Sequence, residues 1–234
     1  MCENIFEILS GNPYPGRGII LGKNAGGDTY IVYFIMGRSE NSRNRVFVPT
    51  EDGIKTQAHD PAKMTDPSLI IYHPVRFSGG RAIVTNGDQT ENITATFKEG
   101  HGLRCALRPR EFEPDAPNYT PRISGVVYEN GSYELSILKS FNGDPNCCCR
   151  NFFSFDNPLP GFGHFISTYM GDGNPLPSFA GEPRLISVDG NIDSFARRVW
   201  DSLNPDNKVS LYACRVPLGG GETDRVIFNK NLGD

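Results

Sequence analysis

The sequence predicts an antiparallel α+β fold, and two observations lead to this prediction. Short segments rich in β-branched and aromatic residues alternate with turn clusters and mostly form hairpins, which gives about nine or ten strands. Glycine and proline, 26 and 18 of the 234 residues, fall between these segments and favour many turns over a helical bundle. Since only about two or three segments have helical periodicity, we expect sheets that pack on each other or on helices.

The chain begins with an expected N-terminal extension over residues 1–16, because residues 12–16 are a turn cluster. A hairpin follows, with strands predicted over 17–23 and 29–36. The residues between these strands, 24–28, tolerate a positive φ and suit a tight turn.

An arginine-rich loop follows this hairpin and precedes a short strand over 46–48. Residues 37–45 hold Arg38, Arg43 and Arg45 among small hydrogen-bonding side chains. Arginine binds phosphate with two parallel hydrogen bonds, so the loop is a candidate anion site. A solvated loop tip is the alternative interpretation.

Two strands and two short helices are predicted next. The strands span 68–77 and 81–85, and the second leads into the turn signal Asn86-Gly87-Asp88. Such a turn can present backbone N–H groups to a ligand. Residues 89–109 have loosely helical spacing that is interrupted by glycines, which predicts two short helices.

A stiff linker, residues 112–123, joins the two halves of the chain. Its three prolines hold the backbone extended, and Glu113 lies between apolar neighbours. Arg122 begins a strand predicted over 122–129. A stiff loop that carries a carboxylate and a guanidinium beside a strand suits a functional site, and it is also an ordinary crossing from a helical layer to a sheet.

The second half repeats the hairpin pattern. Strands are predicted over 123–128, 133–139, 164–170, 209–216 and 225–229. The clearest helix spans residues 192–203, where apolar side chains recur at i, i+3, i+4, i+7, i+8 and i+11. Residues 141–160, rich in Cys, Phe and Pro, are expected to be an insertion that packs against the body or a partner subunit.

The composition excludes several classes of function. The net charge is −4, whereas nonspecific binding to nucleic acid or to a membrane surface needs a basic field. The sequence has no run of about 18 apolar residues, so we expect no membrane span. Its first residues form no long apolar segment, so we expect no signal peptide and a cytoplasmic location.

The six cysteines argue for reduced thiols. Three of them, residues 147–149, are consecutive, and no Cys-x-x-Cys spacing occurs. We therefore expect neither disulfides nor a structural zinc site.

Six short stretches occur together in the order and spacing of a known family. They are RGIILGKN (17–24), RSENSR (38–43), Tyr72, AIVTNG (82–87), TPRI (120–123) and ISTY (166–169). As an ordered set, over roughly residues 17–215, they resemble the archaeal-type IMP cyclohydrolase family.

The resemblance implies a four-layer αββα sandwich of antiparallel sheets, like that of N-terminal-nucleophile hydrolases, with residues 17–234 as a single domain. It also implies dehydrative ring closure of 5-formamidoimidazole-4-carboxamide ribonucleotide to inosine monophosphate (IMP). The expected partners are this purine ribonucleotide and further copies of the chain in a homo-oligomer. No metal or organic cofactor is expected.

The same resemblance implies the site residues. Tyr72 and Glu113 are expected to transfer protons, since a phenol can polarise the formyl oxygen and a desolvated carboxyl group has a raised pKa. Arg43 completes the expected catalytic set. The expected substrate contacts are Arg122, Asn86, Gly87, Lys23 and Asn24. Without the resemblance, the ordinary interpretation is that Tyr72 is a core tyrosine, that Arg122 pairs with a carboxylate and that Glu113 is exposed on a loop.

Two other functions remain open at this point. Removal of Met1 would expose Cys2, and an N-terminal cysteine can act as the nucleophile of an amidohydrolase with this fold. The chain can also be a purine-nucleotide-binding protein that lacks catalysis.

Overall fold

The computed structural model describes residues 2–64, 67 and 70–234. Within these residues the strands form two antiparallel sheets, which confirms the expected α+β class. In chain order the strands are β1 (Arg17–Lys23), β2 (Thr29–Met36), β3 (Arg45–Thr50), β4 (Gly53–Ala58), β5 (Val75–Ser78), β6 (Arg81–Thr85), β7 (Arg122–Val127), β8 (Tyr133–Phe141), β9 (Asp144–Phe155), β10 (Phe162–Ser167), β11 (Arg184–Ser187), β12 (Lys208–Val216) and β13 (Thr223–Asn229).

The strand order differs between the two sheets. The six-stranded sheet runs β11-β10-β1-β2-β12-β13, and the seven-stranded sheet runs β3-β4-β5-β6-β7-β8-β9. In chain order the helices are α1 (Ile5–Ser10), α2 (Glu40–Arg43), α3 (Gln89–Lys98), α4 (Leu103–Leu107) and α5 (Ile192–Ser202), with short 3₁₀ turns at Pro61–Lys63 and Lys230–Leu232. No helix within the described ranges is long and apolar enough to cross a membrane.

The inner faces of the two sheets pack against each other. Alternate residues of the central strands, such as Ile19 and Leu21 of β1 and Ile123 of β7, are fully buried in this shared core. Because successive side chains of a strand point to opposite faces, membership of this core identifies which residues of each strand face the space between the sheets.

Helices cover the outer faces of both sheets. Helices α1 and α5 pack on the six-stranded sheet, with Phe195 and Trp200 of α5 buried. Helices α3 and α4 pack on the seven-stranded sheet through residues such as Ile93 and Leu107. The amphipathic spacing of α5 explains this arrangement, and Asn191 caps the helix by accepting a hydrogen bond from the backbone N of Ser194 at 2.9 Å.

Two segments are more regular than the sequence predicted. Part of the expected N-terminal extension forms α1, whose Ile5 and Leu9 are buried in the core beneath α5. Residues 144–155, expected within an insertion, form the 12-residue strand β9, which pairs with β8 at the edge of the seven-stranded sheet.

The strand predicted over 68–77 is much shorter in the structure. It is confined to β5, and the bend that carries Tyr72 precedes it. The first two residues of the predicted strand, Ser68 and Leu69, lie outside the described residues. Strands β4 and β11 were not predicted, because β4 is polar at alternate positions and β11 is only four residues long.

Candidate active site

A polar cluster lies between the sheets, at the end of the sandwich where β1 and β3 begin. Arg17 is the first residue of β1 and shares its inner face with Ile19 and Leu21. Arg45 is the first residue of β3 and shares its inner face with Phe47. Arg45 is only 1% exposed, and Arg17 is partly buried.

The two guanidinium groups have donors without partners. Nε of Arg45 donates to the carbonyl oxygen of Ser42 at 2.8 Å. By contrast, Nη2 of Arg45 and Nε of Arg17 are shielded from solvent and have no hydrogen-bond partner among the described residues. Leaving a buried donor unpaired costs about 1–3 kcal/mol, so these two N–H groups are candidates for binding a ligand.

Tyr72 enters the cluster from the bend before β5. Its Oη lies 2.9 Å from Oη of Tyr33 on β2, and both rings are buried. Thr56 of β4 holds the backbone of Tyr72, because Oγ1 of Thr56 accepts from the Tyr72 amide at 2.9 Å and the Tyr72 carbonyl accepts from the Thr56 amide at 2.9 Å.

Glu113 brings a carboxyl group into the cluster from the linker. It is 2% exposed, and burial raises its pKa above the ordinary value of 4.5. Arg17, Arg122 and Arg45 act in the opposite direction, but they do not outweigh burial. Among the described residues no side chain hydrogen-bonds to this carboxyl group, so it is free to interact with a ligand.

Arg17 connects Glu113 and Tyr72 electrostatically. Burial lowers the pKa of Arg17, but the Glu113 carboxylate and nearby phenols, including that of Tyr72, raise it by more. For Arg45, burial and the neighbouring Arg17 lower the pKa. The cluster therefore combines two guanidinium groups, a carboxyl group and a phenol in a space with little solvent.

A chain of hydrogen bonds fixes the linker around Glu113. The Glu113 amide donates to the carbonyl of Thr120 at 2.9 Å, and the Asp115 carboxylate accepts from the Thr120 amide at 2.6 Å and from its Oγ1 at 2.5 Å. Oγ1 of Thr120 also lies 2.6 Å from Oη of Tyr169. Since the threonine hydroxyl donates its only proton to Asp115, Tyr169 is the donor in the last contact. Burial raises the pKa of Tyr169 to about 12, so its proton is retained at neutral pH.

Arg122 lies on the other face of the seven-stranded sheet. It pairs with Leu138 of β8, which belongs to the core under α3 and α4. Its Nη1 donates to Oε1 of Gln89 at 2.8 Å and lies 2.8 Å from Oδ1 of Asp88. Arg122 therefore acts on Glu113 through the electric field and not by direct contact.

Asn86 and Gly87 support the start of β7. The Asn86 amide group donates to the carbonyl of Pro121 at 2.9 Å and accepts from the amide of Ile123 at 2.8 Å. The backbone N–H of Asn86 donates to Ile123 and that of Gly87 to Oγ1 of Thr85. The backbone N–H groups that the turn signal was expected to present to a ligand are thus already hydrogen-bonded within the protein.

Arg43 is an exposed residue at the end of α2. Its Nε donates to the carbonyl of Gly37 at 2.9 Å, and its Nη2 donates to Oδ1 of Asn207 at 3.0 Å. It lines an open cavity of about 600 Å³ together with His59 and Lys63. Arg43 therefore faces this surface cavity, whereas the buried arginine of the same loop is Arg45.

Lys23 and Asn24 lie at the opposite end of β1. With a strand rise of about 3.3 Å per residue, Lys23 is about 20 Å from Arg17 along the strand. Asn24 closes the hairpin by accepting from the amide of Asp28 at 3.0 Å. The structure does not bring these two residues to the polar cluster.

The cysteines lie outside the cluster. Cys2 is exposed, and its neighbour Glu3 bridges to Ile186 at β11, the edge strand of the six-stranded sheet. All six cysteines are free thiols. Within the described ranges, no group of three or more His, Cys, Asp or Glu side chains could hold a metal ion.

Three members of the cluster, Arg17, Tyr33 and Arg45, are not among the predicted site residues, although Arg45 lies in the candidate anion loop. The alternation of side chains along a strand could have identified each of them, because each lies an even number of residues from apolar residues of its strand that face the shared core. What the sequence did not show is which strands of the two sheets face each other, and so the shared end of the sandwich was not apparent.

Comparison with known proteins identifies the relatives of this chain. The model of a family described as "IMP cyclohydrolase-like protein" matches residues 14–219. A relative named IMP cyclohydrolase from Methanococcus aeolicus is 32% identical over 124 residues, which covers 51% of this chain and 61% of the relative. One from Halobacterium salinarum is 28% identical over 131 residues, covering 54% and 63%.

A third relative of the same name, from Haloquadratum walsbyi, matches over a longer span. It is 25% identical over 218 residues, which covers 92% of this chain and 96% of the relative. The Methanococcus and Halobacterium matches each span less than two thirds of the relative's length.

Proposed function

The chain belongs to the IMP cyclohydrolase-like protein family, and from this premise we propose that it closes the ring of 5-formamidoimidazole-4-carboxamide ribonucleotide to give IMP and water. The observation that carries the proposal is the buried cluster that combines the unpaired guanidinium donors of Arg17 and Arg45 with the buried side chains of Tyr72 and Glu113. A carboxyl group of raised pKa, a phenol and unpaired guanidinium donors are the groups that this reaction needs.

The reaction forms one bond and breaks another. The carboxamide nitrogen attacks the formyl carbon, and the C–N bond that forms closes the six-membered ring. One proton leaves the carboxamide nitrogen and one leaves the formamido nitrogen. Both end on the formyl oxygen, which departs as water when its bond to carbon breaks.

We assign the proton transfers to Tyr72 and Glu113. Tyr72 donates to the formyl oxygen as negative charge develops on it. Glu113, whose carboxyl group has no partner among the described side chains, takes the proton from the attacking nitrogen and passes it to the oxygen as that oxygen leaves as water. Its raised pKa suits this role, because a base whose pKa approaches the working pH can both accept and return a proton.

The unpaired donors of Arg17 and Arg45 stabilise the formyl oxygen. Donors directed at a developing oxyanion in a dry site contribute strongly, and loss of one typically costs about 10²–10³ in kcat. Holding the carboxamide and formyl groups together supplies up to about 7–11 kcal/mol in favourable cases.

The remaining predicted site residues take supporting roles in this proposal. Arg43 binds the phosphate end of the nucleotide from the surface cavity. Asn86 and Gly87 position Arg122, whose charge moderates the pKa of Glu113. Lys23 and Asn24 hold the far hairpin and make no substrate contact.

We also propose a finer assignment of the fold. Helices on both outer faces of two packed sheets support a four-layer αββα sandwich like that of N-terminal-nucleophile hydrolases. We propose that residues 17–234 form a single domain, that the protein is cytoplasmic and that it assembles as a homo-oligomer. The open edge of β9, 12 residues long, supports pairing with a second copy.

The test is an assay of the purified chain with the formamido ribonucleotide, in buffer with a chelator, followed by absorbance and by chromatography of the product. We expect IMP to form, and the rate to fall at least about 100-fold in Tyr72→Phe. Cys2→Ala is the matched control, and it should retain the wild-type rate. Tight IMP binding without turnover would instead support a nucleotide-binding protein, and amide hydrolysis that is lost in Cys2→Ala would support the amidohydrolase.

A further inference from the structure

The hydroxyl groups of Tyr33 and Tyr72 form a buried pair with an Oη to Oη distance of 2.9 Å. We propose that Tyr33 is a positioning residue for the ring closure, and that its hydroxyl donates a hydrogen bond which aims the Tyr72 hydroxyl at the substrate. The proposal deepens the proposed function and rests on it.

Tyr33 is a rigid member of this pair. It lies within β2, between Ile19 of β1 and Tyr212 of β12. Its side chain is 0% exposed, and its ring stacks on that of Phe47 with centroids 5.7 Å apart. A ring packed in this way offers its hydroxyl group in one place.

Tyr72 is less constrained by the fold. It lies in a bend and not in a strand, and Thr56 holds only its backbone. Among the described residues, Tyr33 is the hydrogen-bond partner of the Tyr72 hydroxyl. The direction in which the Tyr72 hydroxyl points therefore depends on Tyr33.

Either hydroxyl could donate in this geometry, and Tyr33 is the donor in the proposal because, among the described residues, its hydroxyl has no partner but Tyr72. Burial, together with the adjacent Tyr72, raises the pKa of Tyr33 well above its usual range, so Tyr33 keeps its proton. With the Tyr33 proton donated to Tyr72, the proton of Tyr72 is free for a third partner. The charged groups that act on Tyr33 besides Tyr72 are Arg17 and Arg45, and Arg17 is in turn coupled to Glu113, Tyr169 and Tyr14.

In the reaction this arrangement does two things. It directs the O–H bond of Tyr72 away from Tyr33 and into the cluster, where the formyl oxygen takes the proton. It also stabilises the phenolate that remains on Tyr72, which is then reprotonated with the proton released by the formamido nitrogen. Tyr33 itself neither gains nor loses a proton.

Tyr33→Phe tests the proposal, because it removes the hydroxyl and keeps the ring. We expect kcat to fall about 10- to 100-fold, the loss typical of a hydrogen bond to a charged group. KM and the dissociation constant for IMP should change less than about twofold. In a Tyr72→Phe background the same substitution should have almost no further effect, since the two residues act as one unit.

Tyr212→Phe is the matched control. Tyr212 is the cross-strand neighbour of Tyr33, is equally buried and donates to Oε1 of Glu222 at 2.6 Å. The Tyr212→Phe substitution also removes a phenolic oxygen on this face of the sheet, but not one that belongs to the Tyr33–Tyr72 pair. We expect this variant to keep the wild-type kcat.

The results for the variants and for the wild type test the role of Tyr33 separately from the proposed function. The role of Tyr33 is overturned if Tyr33→Phe keeps the wild-type kcat, or if it lowers kcat by the same factor in the wild type and in the Tyr72→Phe variant. The proposed function stands in both cases. No ring closure by wild-type protein overturns the proposed function and this inference with it. If Tyr33→Phe does not fold, nuclear magnetic resonance of the wild type decides, because a donating Tyr33 hydroxyl proton should exchange slowly and a rapidly exchanging one contradicts the proposal.

Discussion

Nη1 of Arg122 occupies the space that a side chain on Gly87 would need. A Cβ added to Gly87 would stand 2.4 Å from this atom and 2.7 Å from Oε1 of Gln89. The glycine therefore lets the arginine reach Asp88 and Gln89, and through them it connects the start of α3 to the start of β7. Gly87 and Arg122, which belong to two of the family-like motifs, thus form one structural unit with Asp88 and Gln89 behind the linker.

The first prediction concerns this contact. Gly87→Ala should displace the Arg122 guanidinium and break its hydrogen bond to Gln89, lowering the free energy of unfolding by about 1–3 kcal/mol. Urea denaturation at pH 7 measures the change. Gly171→Ala is the control, because a Cβ there would make only an ordinary van der Waals contact, 3.7 Å from Oδ1 of Asn12, and it should not destabilise the protein. Equal stability of the two variants would contradict this account of Gly87.

The second prediction separates the two arginines of one loop. Arg45→Met removes a buried donor of the cluster and should lower kcat by about 100-fold. Arg43→Met removes an exposed guanidinium and should raise KM while kcat changes less than about threefold. Steady-state kinetics of the two variants measures both quantities. A larger loss of kcat in Arg43→Met than in Arg45→Met would reverse the assignment.

The third prediction follows from the raised pKa of Glu113. A carboxyl group whose pKa is higher in the folded state binds more protons when folded, so it stabilises the protein at low pH. This contribution to stability is present below the pKa of the unfolded state, about 4.5, and is lost as the pH rises through the pKa of Glu113 in the folded state. Glu113→Gln should therefore be more stable than wild type at neutral pH, yet much slower in ring closure.

Denaturation of both proteins across pH 4–8 checks this prediction. The difference in unfolding free energy between Glu113→Gln and wild type should grow with pH, by at most about 1.4 kcal/mol per unit. Asp156→Asn, at the opposite end of the sandwich, serves as a control for loss of one negative charge. A difference that shrinks as the pH rises would show that the pKa of Glu113 is lowered and not raised.

The fourth prediction concerns His164, outside the proposed active site. Burial lowers its pKa to about 4, and Nδ1 lies 2.8 Å from Oη of Tyr133. A histidine of lowered pKa binds fewer protons in the folded state than in the unfolded state. Its contribution to the free energy of unfolding is therefore present above about pH 6.5, the pKa of the unfolded state, and is lost as the pH falls towards 4. As the pH falls from about 6.5 to 4, the free energy of unfolding of wild-type protein should therefore decrease relative to that of His164→Gln. Parallel stability curves for the two proteins would contradict the lowered pKa.

The sequence predicted the elements with strong local signals. The hairpin of β1 and β2, the helix α5 and the proline linker all depend on neighbouring residues, and the structure contains all three. Helix α1 and strand β9 were not predicted, because their stability comes from distant partners. Ile5 and Leu9 need α5, and β9 needs the whole length of β8.

The sequence also predicted only part of the candidate site. Tyr72 and Glu113 match the family motifs, and both act on the pKa of Arg17 in the structure. The motif of the arginine-rich loop ends at Arg43, so the sequence predicted Arg43 and not Arg45, and the loop pattern does not say which arginine points between the sheets. Lys23 lies at the first hairpin, and the seven-residue strand β1 separates it from Arg17.

If the reaction takes place in the cluster between the sheets, the product must bind there, and a crystal structure of the wild-type protein with IMP is the decisive measurement. We expect the C2 edge of the purine to lie within about 4 Å of Tyr72 Oη and the Glu113 carboxyl group, with Arg17 and Arg45 donating to the ligand. A purine base bound away from both residues, for example wholly within the surface cavity lined by His59 and Lys63, would contradict it.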